Sequence, residues 1–356
     1  MSAAVRAGSL GFPAERTFPV LKVILASVLA AQTLVQPAAA ATTINVSNAA
    51  ELIAALKAAK PGDTIQLADG DYGDQFVATT SGTAAKPITL VGSQKAVLHD
   101  PKFKLGDTDC PSGQTGYGLW LQGANYWNLK GFSVTKSKKG IVLDGSSHVT
   151  IDGVSVHDIG YEGVHFRKSS SYGVIKNSTV TNTGQEEPGY GEGVYLGSAN
   201  SNWECYGATP STPDASNFTQ VLNNKIGPNV AAEGIDVKEG THDGLISGNT
   251  LDGTGEKNQH DADSTMDIKG DKYTITENIA KNGYLDVIQL HNVWGNTGCG
   301  NTFSKNTLTV KNKNGYGINA TDQSQCTSSK APNVIGASNK SAGGKGLSKT
   351  PTTPGV

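Results

Sequence analysis

Gly234-Ile235-Asp236-Val237-Lys238, Thr265-Met266-Asp267-Ile268-Lys269 and Val287-Ile288-Gln289-Leu290-His291 are three copies of one short pattern. In each, the second and fourth residues are apolar and the third and fifth polar, the period-two signature of a strand with one buried face. Working outward, the pattern returns at Gly193 (GVYLG), Gly163 (GVHFR), Gly140 (GIVLD) and Gly317 (GINAT). Gly140 and Gly163 are 23 residues apart, Thr265 and Val287 are 22 apart, and wider gaps hold polar inserts. A strand that recurs with this period between turn residues predicts an all-β solenoid whose strands stack in parallel.

Stacking turns sequence offset into a spatial column, with rungs about 4.8 Å apart. The third positions are Val142, His165, Tyr195, Asp236, Asp267, Gln289 and Asn319; the fifth are Asp144, Arg167, Gly197, Lys238, Lys269, His291 and Thr321. Both sets project to one outer face, because alternate residues of a strand point the same way. The residues before the rungs add Glu162, Glu192, Glu233, Ser264 and Asp286. A line of carboxylates is therefore expected beside a line of cations.

The rest of the chain fits a single repeat domain. Gly at 44 of 356 residues suits many tight turns. A formal charge of −2 favours neither nucleic acid nor an anionic membrane as partner, so specificity must come from local charge. Lys22, the apolar run Val23 to Ala31 and the small residues Ala38 to Ala41 read as a secretory signal peptide over residues 1–40, too short in its apolar run to span a bilayer. Four cysteines suit an extracellular compartment, with Cys110–Cys205 and Cys299–Cys326 as the expected pairs. Asn48 followed by Glu51 is a capping-box signal for a short amphipathic helix, stopped by Pro61-Gly62, that closes the first coil of a β-helix over 41–326. Asn177, Asn224, Asn249, Asn278 and Asn306 each follow a short β-like run and are expected to form an inward-facing asparagine ladder, leaving the sequon at Asn177 unused. Residues 327–356, rich in Ser, Thr, Lys, Gly and Pro, read as a loose tail. Inserts at 185–190, 198–217, 254–263 and 294–301 flank the same rungs and are expected to wall a groove.

One reading of the columns is a lyase acting on a uronate polymer. The C5 proton, α to a carboxylate, is weakly acidic, so the enzyme must neutralise that carboxylate, supply a base and protonate the leaving O4. Lys238 and Lys269, one rung apart, are expected to depress each other's protonation and yield a useful base, with Lys238 as base and Lys269 as acid or charge stabiliser. Glu192 and Glu233, with Glu162, offer hard oxygen ligands for Ca²⁺. Arg167 is expected to clamp a substrate carboxylate, with His165, Tyr195, Asp236, Asp267 and His291 lining the substrate. A second reading makes Asp236 and Asp267 the acid/base pair of a glycoside hydrolase, although an inverting pair needs roughly 6.5–9.5 Å between carboxyls. A uronate C5-epimerase, which abstracts the same proton, and a non-catalytic glycan-binding β-helix stay open.

Glu192-Gly193, Glu233 five residues before Lys238, Ser247-Gly248-Asn249-Thr250 and Lys269-Gly270-Asp271 resemble the core of polysaccharide lyase family 6, the alginate lyases and chondroitinase B. That resemblance implies a right-handed, pectin-lyase-like parallel β-helix, Glu233 and Glu192 as calcium ligands and Lys238 as the base. Lys269, Ala231 and Tyr195 depart from the family pattern, standing where Arg, a carboxylate and Arg are usual. The chain is expected to be a secreted monomer that acts on an acidic polysaccharide, with pectate as open as alginate.

Overall fold

The structure, a computed structural model, describes residues 41–102, 115–207, 209, 211–321, 326 and 331–356. The signal segment and Cys110 lie outside the described residues. Strands among the described residues form three parallel sheets of 11, 9 and 10 strands, each coil adding one strand to a sheet before the chain moves to the next. This is a parallel β-helix. The rungs quoted above form the nine-stranded sheet, here called the site sheet, including Val164–Arg167, Val194–Leu196, Ile235–Val237, Ser264–Ile268 and Asp286–Leu290.

The pairing register reproduces the expected column: His165 opposes Tyr195, Tyr195 opposes Asp236, Asp236 opposes Asp267, and Asp267 opposes Gln289. The alternating apolar residues Ile235, Val237, Met266, Ile268, Ile288 and Leu290 point inward and are fully buried in one continuous core. The glycine that opens several rungs answers to crowding between coils. A Cβ at Gly140 would lie 2.3 Å from the Gly163 carbonyl oxygen, one at Gly163 2.7 Å from that of Gly193, and one at Gly193 2.6 Å from that of Gly234.

The helix α1 (Ala49–Ala58) forms where the capping signal placed it. The Asn48 side chain accepts from the Glu51 N–H, while the Glu51 carboxylate accepts from the Ser47 N–H rather than from Asn48. Leu52, Ala55 and Leu56 are its buried face. The first strand, Thr43–Val46, precedes the helix and pairs in parallel with Thr64–Leu67, which follows it.

Two expectations are corrected. The asparagine ladder runs through Asn224, Asn249, Asn278, Asn306 and Asn339, each backbone N–H donating to the next Oδ1 at 2.9–3.1 Å. Ser178, not Asn177, holds the ladder position in the preceding coil. Asn177 sits one residue earlier, exposed at φ 51°, in the same left-handed turn position as Gly153, Asn223 and Gly248. Its sequon therefore faces solvent. The C-terminal stretch is also no loose tail: Val334–Ile335 pairs with Thr302–Ser304, and Lys340–Gly343 pairs with Thr307–Val310. Small polar residues that suggest a linker equally suit a coil made of short strands and tight turns.

Candidate active site

The inserts do wall a groove over the site sheet. Its volume is about 1130 Å³. Gly189, Tyr190, His260 and Asp261 stand on one side, and Ser198, Ala199, Asn202, Tyr206 and Val293 also line it. Cys299–Cys326 is bonded as expected, fastening the 294–301 insert that follows Val293, and Trp294 packs edge-on against Trp203 of the 198–217 insert.

The floor carries a chain of alternating charge that crosses three rungs. Lys238 Nζ lies 2.6 Å from Asp236 Oδ2, Lys269 Nζ lies 3.1 Å from Asp236 Oδ1, Lys269 also reaches Asp267 Oδ2, and His291 Nδ1 lies 3.1 Å from Asp267 Oδ1. All five line the groove. The sequence pattern brought these residues together, but their electrostatics differ from the expectation. Burial pulls Lys238 down, yet Asp236, then Glu233 and Glu192, override it and hold the ammonium well above its ordinary value. For Lys269, burial is likewise outweighed by Asp236 and Asp267. Mutual repulsion between the lysines is thus the smaller effect, because a carboxylate stands against each one. Asp267 is pushed up by burial but pulled down further by Lys269 and His291, and stays ionised. A hydrolase acid at this position would have to hold a proton, which these cations oppose.

Beside this chain, Glu192, Glu233 and Asp236 each offer an oxygen, all within 4.8 Å of one another. Burial, with the charges of Glu162 and Asp236, raises Glu192 to about 8, and burial with Asp236 raises Glu233 well above the carboxylate range. Glu192 Oε2 is buried and accepts no hydrogen bond from the described residues. Three hard oxygens, one of them orphaned, fit a divalent cation such as Ca²⁺. Glu162 is not in this group, because it pairs with Lys139 at 2.8 Å and approaches His165 Nδ1 at 3.4 Å. Asp236, which sequence reasoning assigned to substrate, takes its place; register with Tyr195 on one side and Asp267 on the other was the available signal.

Arg167 is the clearest departure. It is fully buried, bound to Asp144 at 2.6 and 3.2 Å and to the Tyr117 hydroxyl at 3.0 Å, with Tyr206 against its guanidinium face. It does not line the groove and clamps no substrate. The insert bearing Tyr206 folds back over it. His165 lies on the floor, buried, with Nε2 2.9 Å from the Gly197 carbonyl oxygen; burial lowers its pKa despite the opposing pull of Glu162. The Tyr195 ring packs at a tilt against His165, with centroids 4.3 Å apart, and Lys238 Nζ sits 5.1 Å from its ring centre. Burial and the charges of Glu192 and Asp236 keep its phenol protonated.

A family model described as "Pel9A-like, right handed beta helix region" matches residues 33–194. The crystal structure of an alginate lyase from Paenibacillus sp. str. FPU-7 superposes with a TM-score of 0.76 at 36% identity, covering 87% of this chain and 98% of that one. Pectate lyase Pel9A, at 18% identity and a TM-score of 0.58 over 84% of this chain and 75% of that one, shares the fold. Pectate lyase L of Dickeya chrysanthemi is 29% identical over 136 residues, 35% of this chain and only 30% of that relative's length.

Proposed function

The chain belongs to the same family of right-handed parallel β-helix polysaccharide lyases as the Paenibacillus sp. str. FPU-7 alginate lyase, and from that premise we propose that it cleaves a uronate polymer by β-elimination, with alginate as the first candidate substrate. The observation that carries this reading is the row Lys238, Lys269 and His291 at one position on three successive rungs of a groove floor, basic groups spaced to meet successive carboxylates of a polyanionic chain. The disulfide supports action outside the cell.

Lys269 faces the carboxylate of the reacting sugar and offsets the charge that builds there as the C5 proton leaves. Lys238, in its neutral fraction, takes that proton. The C5–H electron pair becomes the C4–C5 double bond, and the C4–O4 bond breaks. The Tyr195 phenol, protonated and beside Lys238, donates to the departing O4. Glu192, Glu233 and Asp236 are the residues that would hold Ca²⁺, whose charge would further neutralise the substrate carboxylate.

Ultraviolet absorbance of the unsaturated product tests this on alginate, polygalacturonate, glucuronan and chondroitin sulfate, each with Ca²⁺ or chelator. Absorbance on a uronate polymer is the expected result. New reducing ends without absorbance would instead mean hydrolysis, altered uronate stereochemistry by NMR would mean epimerisation, and no change would leave a binding module. Loss of the signal in chelator alone would support the calcium assignment.

A further inference from the structure

We propose that His291 forms a second carboxylate-binding position, one rung beyond Lys269, which grips the neighbouring uronate of the polymer only while its imidazole is protonated. The inference rests on the lyase reading and adds a requirement for charge on two consecutive sugars.

The two ring nitrogens of His291 have different surroundings. Nδ1 is committed to Asp267, at 3.1 and 3.2 Å from its two oxygens. Nε2 makes no hydrogen bond to the described residues, and the side chain, 27% exposed, lines the groove. With Nδ1–H donating to Asp267, a neutral imidazole turns the lone pair of Nε2 towards the groove and repels a carboxylate. A protonated imidazole turns an N–H there instead, and attracts it. One proton thus reverses the sign of the contact. The charged groups facing the ring are Asp267 and Lys269 on the site sheet and Asp263 on the preceding insert. Burial draws the imidazole down, but the Asp267 hydrogen bond and charge outweigh it, with Asp263 adding and Lys269 opposing, so the cationic form persists above the ordinary range. The position also lies in line. Lys238, Lys269 and His291 occupy the same place on three successive rungs, so a polymer with one carboxylate at Lys269 is carried on towards His291.

Binding of a short oligouronate by calorimetry and KM by absorbance, both against pH, test the proposal in wild type, His291→Gln and His291→Lys. Wild type is expected to lose about tenfold in affinity as pH rises through the imidazole transition, the scale of one charge-assisted hydrogen bond. His291→Gln should bind weakly at every pH, while His291→Lys should stay tight through neutral and mildly alkaline pH. Partial methyl esterification of the polymer should erase the difference between wild type and His291→Gln. Matching pH profiles for wild type and His291→Gln would overturn the proposal. A wild type that binds oligouronate with this pH dependence yet makes no unsaturated product would overturn the lyase reading and leave the subsite standing.

Discussion

Lys238 shows how one neighbour reverses a prediction made from another. Two ammonium groups a rung apart should depress each other, but Asp236 contacts both and Asp267 contacts Lys269, so the resting groove holds both lysines charged. A base whose pKa lies far above the working range acts through a neutral fraction that grows tenfold per pH unit. The logarithm of kcat at saturating substrate is therefore expected to rise with a slope near one from neutral into alkaline pH; a plateau near neutrality would show that Lys238 is not the base. Replacing Lys238 with Ala should abolish turnover with the circular dichroism spectrum unchanged. Arg167 makes the opposite case. Its column position was legible in the sequence, but its burial was not, because period-two patterning says nothing about an insert that folds back across the strand. Arg167→Met is expected to cost stability of about 3–5 kcal/mol by stranding the buried Asp144 carboxylate, seen in denaturant unfolding, with oligouronate affinity unaltered in the folded fraction.

Among elements, the asparagine ladder was visible as a recurrence, and its error was one of phase. Asn177 follows a β-like run just as Asn224 does, yet the turn takes a left-handed residue first and the ladder residue second. Only the doublets Asn177-Ser178, Asn223-Asn224 and Gly248-Asn249, aligned together, reveal this. The contrast gives paired predictions. Asn278 Oδ1 accepts from both the backbone and the side-chain amide of Asn249, and its own amide donates to Ile246 O and Asn306 Oδ1. Asn278→Ala leaves these buried groups unpaired and should destabilise by about 3 kcal/mol in urea unfolding. Asn177→Gly, which keeps the left-handed turn and removes one exposed hydrogen bond to Asp152, should stay within about 0.5 kcal/mol.

At the scale of the molecule, the repeat was readable because each rung keeps its alternation, and the groove because four inserts interrupt the same rungs. The C-terminal coil was not readable, since a two-residue Val334–Ile335 strand is too short to show alternation and Lys340–Gly343 (KSAG) carries little hydrophobic pattern. Deleting residues 327–356 is expected to leave Thr302–Ser304 and Thr307–Val310 without partners on one side and Asn306 without its Asn339 acceptor. Exposed strand edges recruit other chains, so light scattering should detect aggregates and the melting temperature should fall; a monodisperse, equally stable truncation would contradict this.

Each coil contributes one row to the groove floor and bonds mainly to the coil before it and the coil after it. The growth unit of such a binding surface is the coil itself. Duplicating one in-frame coil would extend the groove floor by a single row and leave the Asp236–Lys238 row intact. Groove length, and with it the number of sugars held, can therefore change in whole steps while the chemistry stays fixed.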